Sequence, residues 1–266
     1  MGRHRLAVSP GAAPPRSAAV VLPVLALVVC AAVFGVDADL IAGHHTSFLD
    51  RPALHEAVSL RTSALTALMK VVTTAAEIPL LAVSLLTGVV LGWRRASWRP
   101  VLLVVVAGVL SVAASTVVKD LTDRTRPPTG YWLVHETDFS FPSRHTTMAA
   151  ALLCMLAFVL AERLSARIAA VGLWAGALVL VALVGASRIY LGVHWATDVL
   201  GGFTLGSAVG FVLVAGDVWW RARAGRREPR VPGGGYGGDL GTGQGYPASP
   251  AAPATPPPPP PPPAPR

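Results

Sequence analysis

Three short stretches of this chain carry residue types suited to phosphoryl transfer. In the first, Lys119 is followed by Arg126 and Pro127. The second is Pro142-Ser143-Arg144-His145. In the third, Ser187-Arg188 is followed by His194 and then Asp198. A phosphoryl group in transfer spreads negative charge over oxygens that fixed donors must neutralise. Lys119, Arg126, Arg144 and Arg188 supply that charge, and a guanidinium can grip two oxygens at once. Ser143 supplies a hydroxyl, and as a helix N-cap it would open a run of backbone N–H groups able to bind an anion. His194 and Asp198 are four residues apart and on a helix would share one face. A carboxylate accepting one ring N–H fixes the imidazole tautomer and frees the other nitrogen to attack phosphorus. His145 is then the candidate acid for the departing oxygen. The expected catalytic set is His194, His145 and Asp198, with Lys119, Arg126, Ser143, Arg144 and Arg188 on the phosphate. No metal and no cofactor are expected.

The elements that must position these residues are membrane helices. Only 14% of the 266 residues are charged, against roughly a quarter in soluble domains, and the mean hydropathy is +0.55. The apolar residues fall into six segments: Ala18–Val36, Thr74–Gly92, Val101–Val118, Thr146–Ala161, Ala169–Ala186 and Trp195–Ala215. Each is about long enough to cross a hydrocarbon core of roughly 30 Å. The first is too long for a signal-peptide core and reads as an uncleaved helix. The expected fold is all-α, a six-transmembrane-helix bundle with its active site at the outer membrane face. Alternating helix direction puts Lys119, His145, Arg188, His194 and Asp198 at the same end.

Arginine placement orients the bundle. Arg3, Arg5 and Arg16, then Arg94, Arg95 and Arg99, then Arg163 and Arg167, then the cluster from Arg221 to Arg230 all fall on one side, which the rule makes cytoplasmic. The links Asp37–Thr73, Lys119–His145 and Ser187–His194 lie outside, although they too carry basic residues. The expected location is a bacterial cell membrane with the site extracytoplasmic.

The three stretches resemble the signature of the type 2 phosphatidic acid phosphatase superfamily, shared with vanadium-dependent haloperoxidases. That signature reads K-x6-R-P, then P-S-G-H, then S-R-x5-H-x3-D. Lys119, Arg126 and Pro127 match the first part, and Ser187, Arg188, His194 and Asp198 the third. The resemblance implies a phosphate pocket of Lys119, Arg126, Ser143 and Arg188, with His145 as acid and His194 as nucleophile paired to Asp198. It also implies a membrane phosphatase acting on a lipid-linked phosphate or diphosphate, such as a polyprenyl diphosphate or phosphatidic acid, through a phosphohistidine. The sequence departs from the signature at Arg144, where the family usually has glycine. Arginine keeps the backbone N–H but adds a cation, which would either suit a more anionic substrate or obstruct the pocket. Transfer to a hydroxyl acceptor, and phosphate binding or transport without catalysis, are the alternatives.

The net charge of +8 does not point to nucleic acid, because the arginines sit in clusters between apolar runs and not on one soluble face. Cys30 and Cys154 lie inside apolar runs and are not expected to pair. His44, His45 and His55 read as a solvated loop, His135 as a loop residue near the motifs, and Glu77 as an acid near the outer end of the second helix. Asp123 and Arg124 are expected to balance charge around the pocket. The domain reading is an N-terminal tail over 1–17, a membrane domain over 18–216 and a Gly/Pro-rich, disordered cytoplasmic tail over 217–266. The proline run Pro256–Pro263 there would suit a proline-binding partner.

Overall fold

The computed structural model describes residues 18–42 and 48–224. The N-terminal tail 1–17, His44 and His45, and the chain beyond Ala224, with its proline run, lie outside the described residues. Among the described residues the chain forms eight α-helices and one 3-10 turn: α1 (Ala18–Ala42), α2 (Asp50–Ser59), α3 (Ser63–Ala75), α4 (Ile78–Trp93), α5 (Arg99–Thr122), the turn Thr129–Tyr131, α6 (Arg144–Ala161), α7 (Arg167–Tyr190) and α8 (Ala196–Ala224). Helices α1, α5, α6, α7 and α8 are each long and apolar enough to cross a membrane, and α3 with α4 are so only when taken together, as a pair bent by 46° at the break between them. Large apolar side chains such as Leu22, Val29, Val109, Ile168 and Val179 are exposed on the outer helices. In water such faces would be strongly destabilising, but here they meet lipid. The chain is an integral, multi-pass membrane protein with an all-α fold.

The bend has a local cause. Pro79 occupies the first turn of α4, where its missing N–H is tolerated, but its ring prevents α3 from running straight through. The region 37–73, expected as a link, contains α2 and α3. Their sequences mix polar and apolar residues too evenly to register as apolar runs. Helix α3 lies over the end of α7: the Arg61 guanidinium, just before α3, donates to the Tyr190 carbonyl at 2.7 Å, and Thr73, near its end, accepts from Arg188 at 2.7 Å. His55 sits on α2 and not in a loop. Helix α8 extends to Ala224, past the boundary expected at residue 216.

The central helix is α6. Its span is 78% buried, against 11% for α1 and 17% for α7, and it packs on α4, α5, α7 and α8. Its first half is built from Thr, Ala and Met, small or pliable enough for neighbours to approach closely. The α8 face toward it is a stripe of Gly202, Gly206 and Gly210. A Cβ on Gly206 would stand 2.1 Å from the Thr147 carbonyl oxygen, and one on Gly202 2.7 Å from that of Ser143. Both neighbours are backbone and cannot move aside, so only glycine permits this approach. The close contact of α6 and α8 places the residues around Ser143 beside those around Asp198: the Ser143 N–H donates to the Asp198 carbonyl oxygen at 2.9 Å.

Candidate active site

All the candidate residues gather at one end of the bundle. Lys119 lies in the last turn of α5 and Arg188 in the last turn of α7. Ser143 occupies the N-cap position of α6, with Arg144 and His145 opening the helix. Asp198 lies in the first turn of α8. His194 precedes α8 and sits in the turn after α7, so its pairing with Asp198 arises at a helix entrance and not within a helix. The segment 123–143 closes over this end. It is tied down where the Ser140 N–H donates to the Arg124 carbonyl at 2.9 Å and where the Leu133 N–H donates to the Leu191 carbonyl at 2.9 Å.

His194 is 1% exposed. Its Nδ1 is 3.3 Å from Asp198 Oδ2, and its Nε2 is 3.1 Å from an Arg126 guanidinium nitrogen. Arginine only donates, so Nε2 carries the lone pair and the ring proton sits on Nδ1, toward the carboxylate. Burial, reinforced by the positive charges of Arg188, Arg126 and Lys119, holds the imidazole pKa well below its ordinary value. The ring is therefore neutral at neutral pH, with a lone pair facing a cation.

Asp198 is fully buried and saturated with donors. Oδ2 accepts from the Trp195 N–H at 2.8 Å and from the Ser140 hydroxyl. Oδ1 accepts from Arg124 at 2.5 Å. The same guanidinium reaches Asp50 Oδ2 at 2.6 Å and Thr197 Oγ1 at 2.7 Å. Asp50, on α2, accepts from the Thr197 N–H at 3.0 Å. Arg124 thus clamps two buried carboxylates behind the histidine, a stronger role than balancing charge. Asp123 instead ends α5 in a left-handed conformation, φ 46°. Asp50 and Ser140 were not singled out from the sequence. Asp50 is 147 residues from its partner Thr197, beyond the reach of any local pattern.

The cations line one wall. Arg126 donates from Nε to the Asp138 carbonyl at 2.8 Å and from NH1 to the Val193 carbonyl at 2.7 Å. Lys119 donates to the Phe139 carbonyl. Arg188 is 1% exposed, and its Nε is buried without a hydrogen-bond partner, a spare donor inside the cation group. A cavity of about 420 Å³ reaches this group at Arg188 and is bordered as well by His145, Arg144, Glu136, Asp138 and Glu77; Lys119, Arg126 and His194 are not part of its lining. His135 also borders it and meets the Trp132 ring edge-on.

Ser143 is fully buried and makes no side-chain cap; its hydroxyl accepts from Thr146 at 3.1 Å. The Ser143 carbonyl accepts the first helical bond, from the Thr147 N–H, as an N-cap carbonyl does, but no first-turn N–H donates to the hydroxyl, so the expected side-chain cap is absent. The Arg144 side chain is 42% exposed and swings to the mouth, 3.6 Å from Asp138, so it does not obstruct the cavity. His145 Nε2 is 3.0 Å from Glu77 Oε1. Glu77, at the bend between α3 and α4, is thus the partner of the second histidine. Among the described residues, no group of three or more His, Cys, Asp or Glu side chains is arranged to hold a metal ion.

Comparison with known proteins agrees with this fold. Residues 100–222 match the sequence profile of the PAP2 superfamily. Phosphatidylglycerophosphatase B of Bacillus subtilis is 40% identical over 140 residues, covering 52% of this chain and 66% of that protein. Undecaprenyl-diphosphatase of Sulfolobus acidocaldarius is 30% identical over 115 residues, covering 41% of this chain and 52% of that protein. The chain thus spans less than two thirds of the length of these curated relatives. The crystal structure of a transmembrane PAP2-type phosphatidylglycerolphosphate phosphatase from Bacillus subtilis superposes with a TM-score of 0.63 at 30% identity, covering 76% of this chain and 98% of that one. With three ordered motifs converging on one end of a shared helical bundle, the chain belongs to the PAP2 superfamily.

Proposed function

We propose that this protein is a membrane phosphatase that hydrolyses a lipid-linked phosphate or diphosphate through a phosphohistidine on His194. One observation carries the reading: a buried, neutral imidazole held between a saturated carboxylate on Nδ1 and a guanidinium beside Nε2. The Nε2 lone pair attacks phosphorus, and the bond from phosphorus to the leaving oxygen breaks. His145 protonates that oxygen. Arg126, Arg188 and Lys119 take the phosphoryl oxygens, with the N-terminus of α6 and the Ser143 hydroxyl beside them. Water then attacks phosphorus, the bond to His194 breaks, and the water's proton passes to His145. The carboxylate of Asp198 stabilises the transient positive charge on His194 without itself taking a proton.

The names of the relatives support a lipid substrate, and so does the setting. The cavity lies at the end of a lipid-embedded bundle, so an amphiphile can present its head there while its chain stays in the bilayer. The decisive measurement is phosphate release by the purified protein from a panel of lipid phosphates and diphosphates in detergent, with EDTA present. Four basic side chains supply the charge that a metal ion would otherwise bring, so release is expected to survive chelation. Vanadate, which mimics five-coordinate phosphorus, is expected to inhibit it. No release from any member of the panel, or release that requires added divalent ions, would refute the proposal.

We further propose that the site faces away from the cytoplasm. The opposite end of the bundle carries Arg94, Arg95, Arg99, Arg163, Arg167, Arg221 and Arg223. Several basic residues at the site end are held by structural bonds: Arg61 clasps the Tyr131 and Tyr190 carbonyls, and Arg124 clamps Asp50 and Asp198. In a background lacking Cys30 and Cys154, cysteines at exposed Thr129 and Ala96 report the two ends. An impermeant thiol reagent applied to intact cells should label position 129 and not 96; the reverse pattern would invert the orientation.

A further inference from the structure

The cations of the site are already occupied. Two carboxylates from the segment 133–139 are seated on them. Glu136 Oε1 bonds Arg188, and Glu136 Oε2 stands 3.5 Å from Arg126. Asp138 Oδ1 bonds Arg126 at 2.5 Å, while Oδ2 is 3.4 Å from Lys119 and 3.6 Å from Arg144. All four basic residues of the motifs are therefore engaged by four carboxylate oxygens carrying two negative charges. Burial alone would raise the Asp138 pKa, but Lys119 and Arg126 together outweigh it and hold the carboxyl below its ordinary range.

The two sides of these pairs differ in depth. The side chains of Lys119, Arg126 and Arg188 are 4%, 6% and 1% exposed, whereas those of Glu136 and Asp138 are 13% and 30% exposed; Arg144, at 42%, stands at the mouth itself. The acids therefore sit between the buried cations and the mouth. Their segment is also lightly held. Among the described residues no backbone–backbone hydrogen bond involves 134–139, between the anchors at Leu133 and Ser140. Its attachment is chiefly to the cations themselves, through the Asp138 and Phe139 carbonyls and the two carboxylates.

We propose that Glu136 and Asp138 form a resident anionic plug that selects the substrate by charge. A ligand must replace the two charges that the plug withdraws. A phosphomonoester or diphosphate head, with close to two negative charges or more near neutral pH, does so. A phosphodiester headgroup of the surrounding bilayer, with one charge on its phosphate, does not. An unplugged cluster of four cations at a membrane surface would be held by those abundant diesters. The plug works by raising the threshold for the wrong ligand more than for the right one. This inference rests on the proposed phosphatase reading and deepens it to substrate charge.

The test uses the full chain in detergent, as wild type, Glu136→Gln, Asp138→Asn and the double variant, each checked for folding by thermal unfolding. Titration calorimetry measures binding of inorganic phosphate and of a short-chain phosphatidylglycerol, the diester probe. A plug closed about nine-tenths of the time weakens apparent affinity about tenfold. The double variant is therefore expected to bind inorganic phosphate about tenfold tighter and to bind phosphatidylglycerol, which the wild type excludes. Each single variant should move the same way by a smaller factor, so they decide the matter if the double variant does not fold. Unchanged or weaker phosphate binding, with the diester still excluded, overturns the plug. Phosphate release by the wild type is measured in parallel. Turnover without any affinity gain in the variants defeats the plug alone, whereas an affinity gain without wild-type turnover defeats the phosphatase reading and leaves the plug standing.

Discussion

Acid-quenched trapping with labelled substrate is expected to show a phosphoryl adduct in the wild type, labile in acid and stable in base, that disappears in His194→Ala. This variant removes the attacking nitrogen and leaves Arg126, Arg188 and Lys119 in place, so binding of the phosphate head should persist while turnover is lost. Asp198→Asn keeps the shape but gives up the charge that fixes the ring proton on Nδ1 and stabilises the phosphohistidine. A loss of roughly 10²–10⁴ in turnover is expected, by analogy with other orienting carboxylates. His145→Ala should slow adduct formation most for alkyl phosphates and least for esters with activated leaving groups, which need no proton. Adduct accumulating in His194→Ala, or hydrolysis at the wild-type rate, would rule out this nucleophile.

Arg124→Met is expected to be the most damaging change outside the reacting groups. The side chain is 11% exposed and joins Asp198, which is fully buried, to Asp50, which is 2% exposed. Removing it leaves two buried carboxylates without their shared cation. Breaking a buried ion pair from one side destabilises by about 3–5 kcal/mol. The same change frees Asp198 to shift, so turnover should fall along with the unfolding temperature. Arg124→Lys keeps the charge but lacks the planar fork that reaches both acids, and should recover only part of each loss. Thermal unfolding in detergent, beside phosphate release, measures both. A variant Arg124→Met with unchanged unfolding temperature and turnover would show that the clamp is dispensable.

The legible part of this protein was what repeats or lies close in sequence. Helices α5, α6 and α7 extend only a few residues beyond the apolar runs that announced them. Helices α2 and α3 were not legible because their residues mix polar and apolar types and never accumulate into a run. The departure at Arg144 was visible as a residue, but whether it filled the cavity depended on a side-chain direction that neighbouring elements set.

Residue types and spacing alone determined the long membrane helices, the gathering of the motifs at one end, and the three-part signature of phosphoryl transfer. These follow from hydrophobic run length and from the alternation of helix direction, both properties of the linear chain. The tertiary structure alone decided what stands against each charged group. Arg124 meets Asp50 across 74 residues, Arg188 meets Glu136 across 52, and His145 meets Glu77 across the α4–α6 contact. Such partners are chosen by the packing of α8 glycines on α6 and by the closure of the 123–143 segment. In a dry interior each buried charge must find an opposite charge or a donor, and only the folded chain determines which one is within reach.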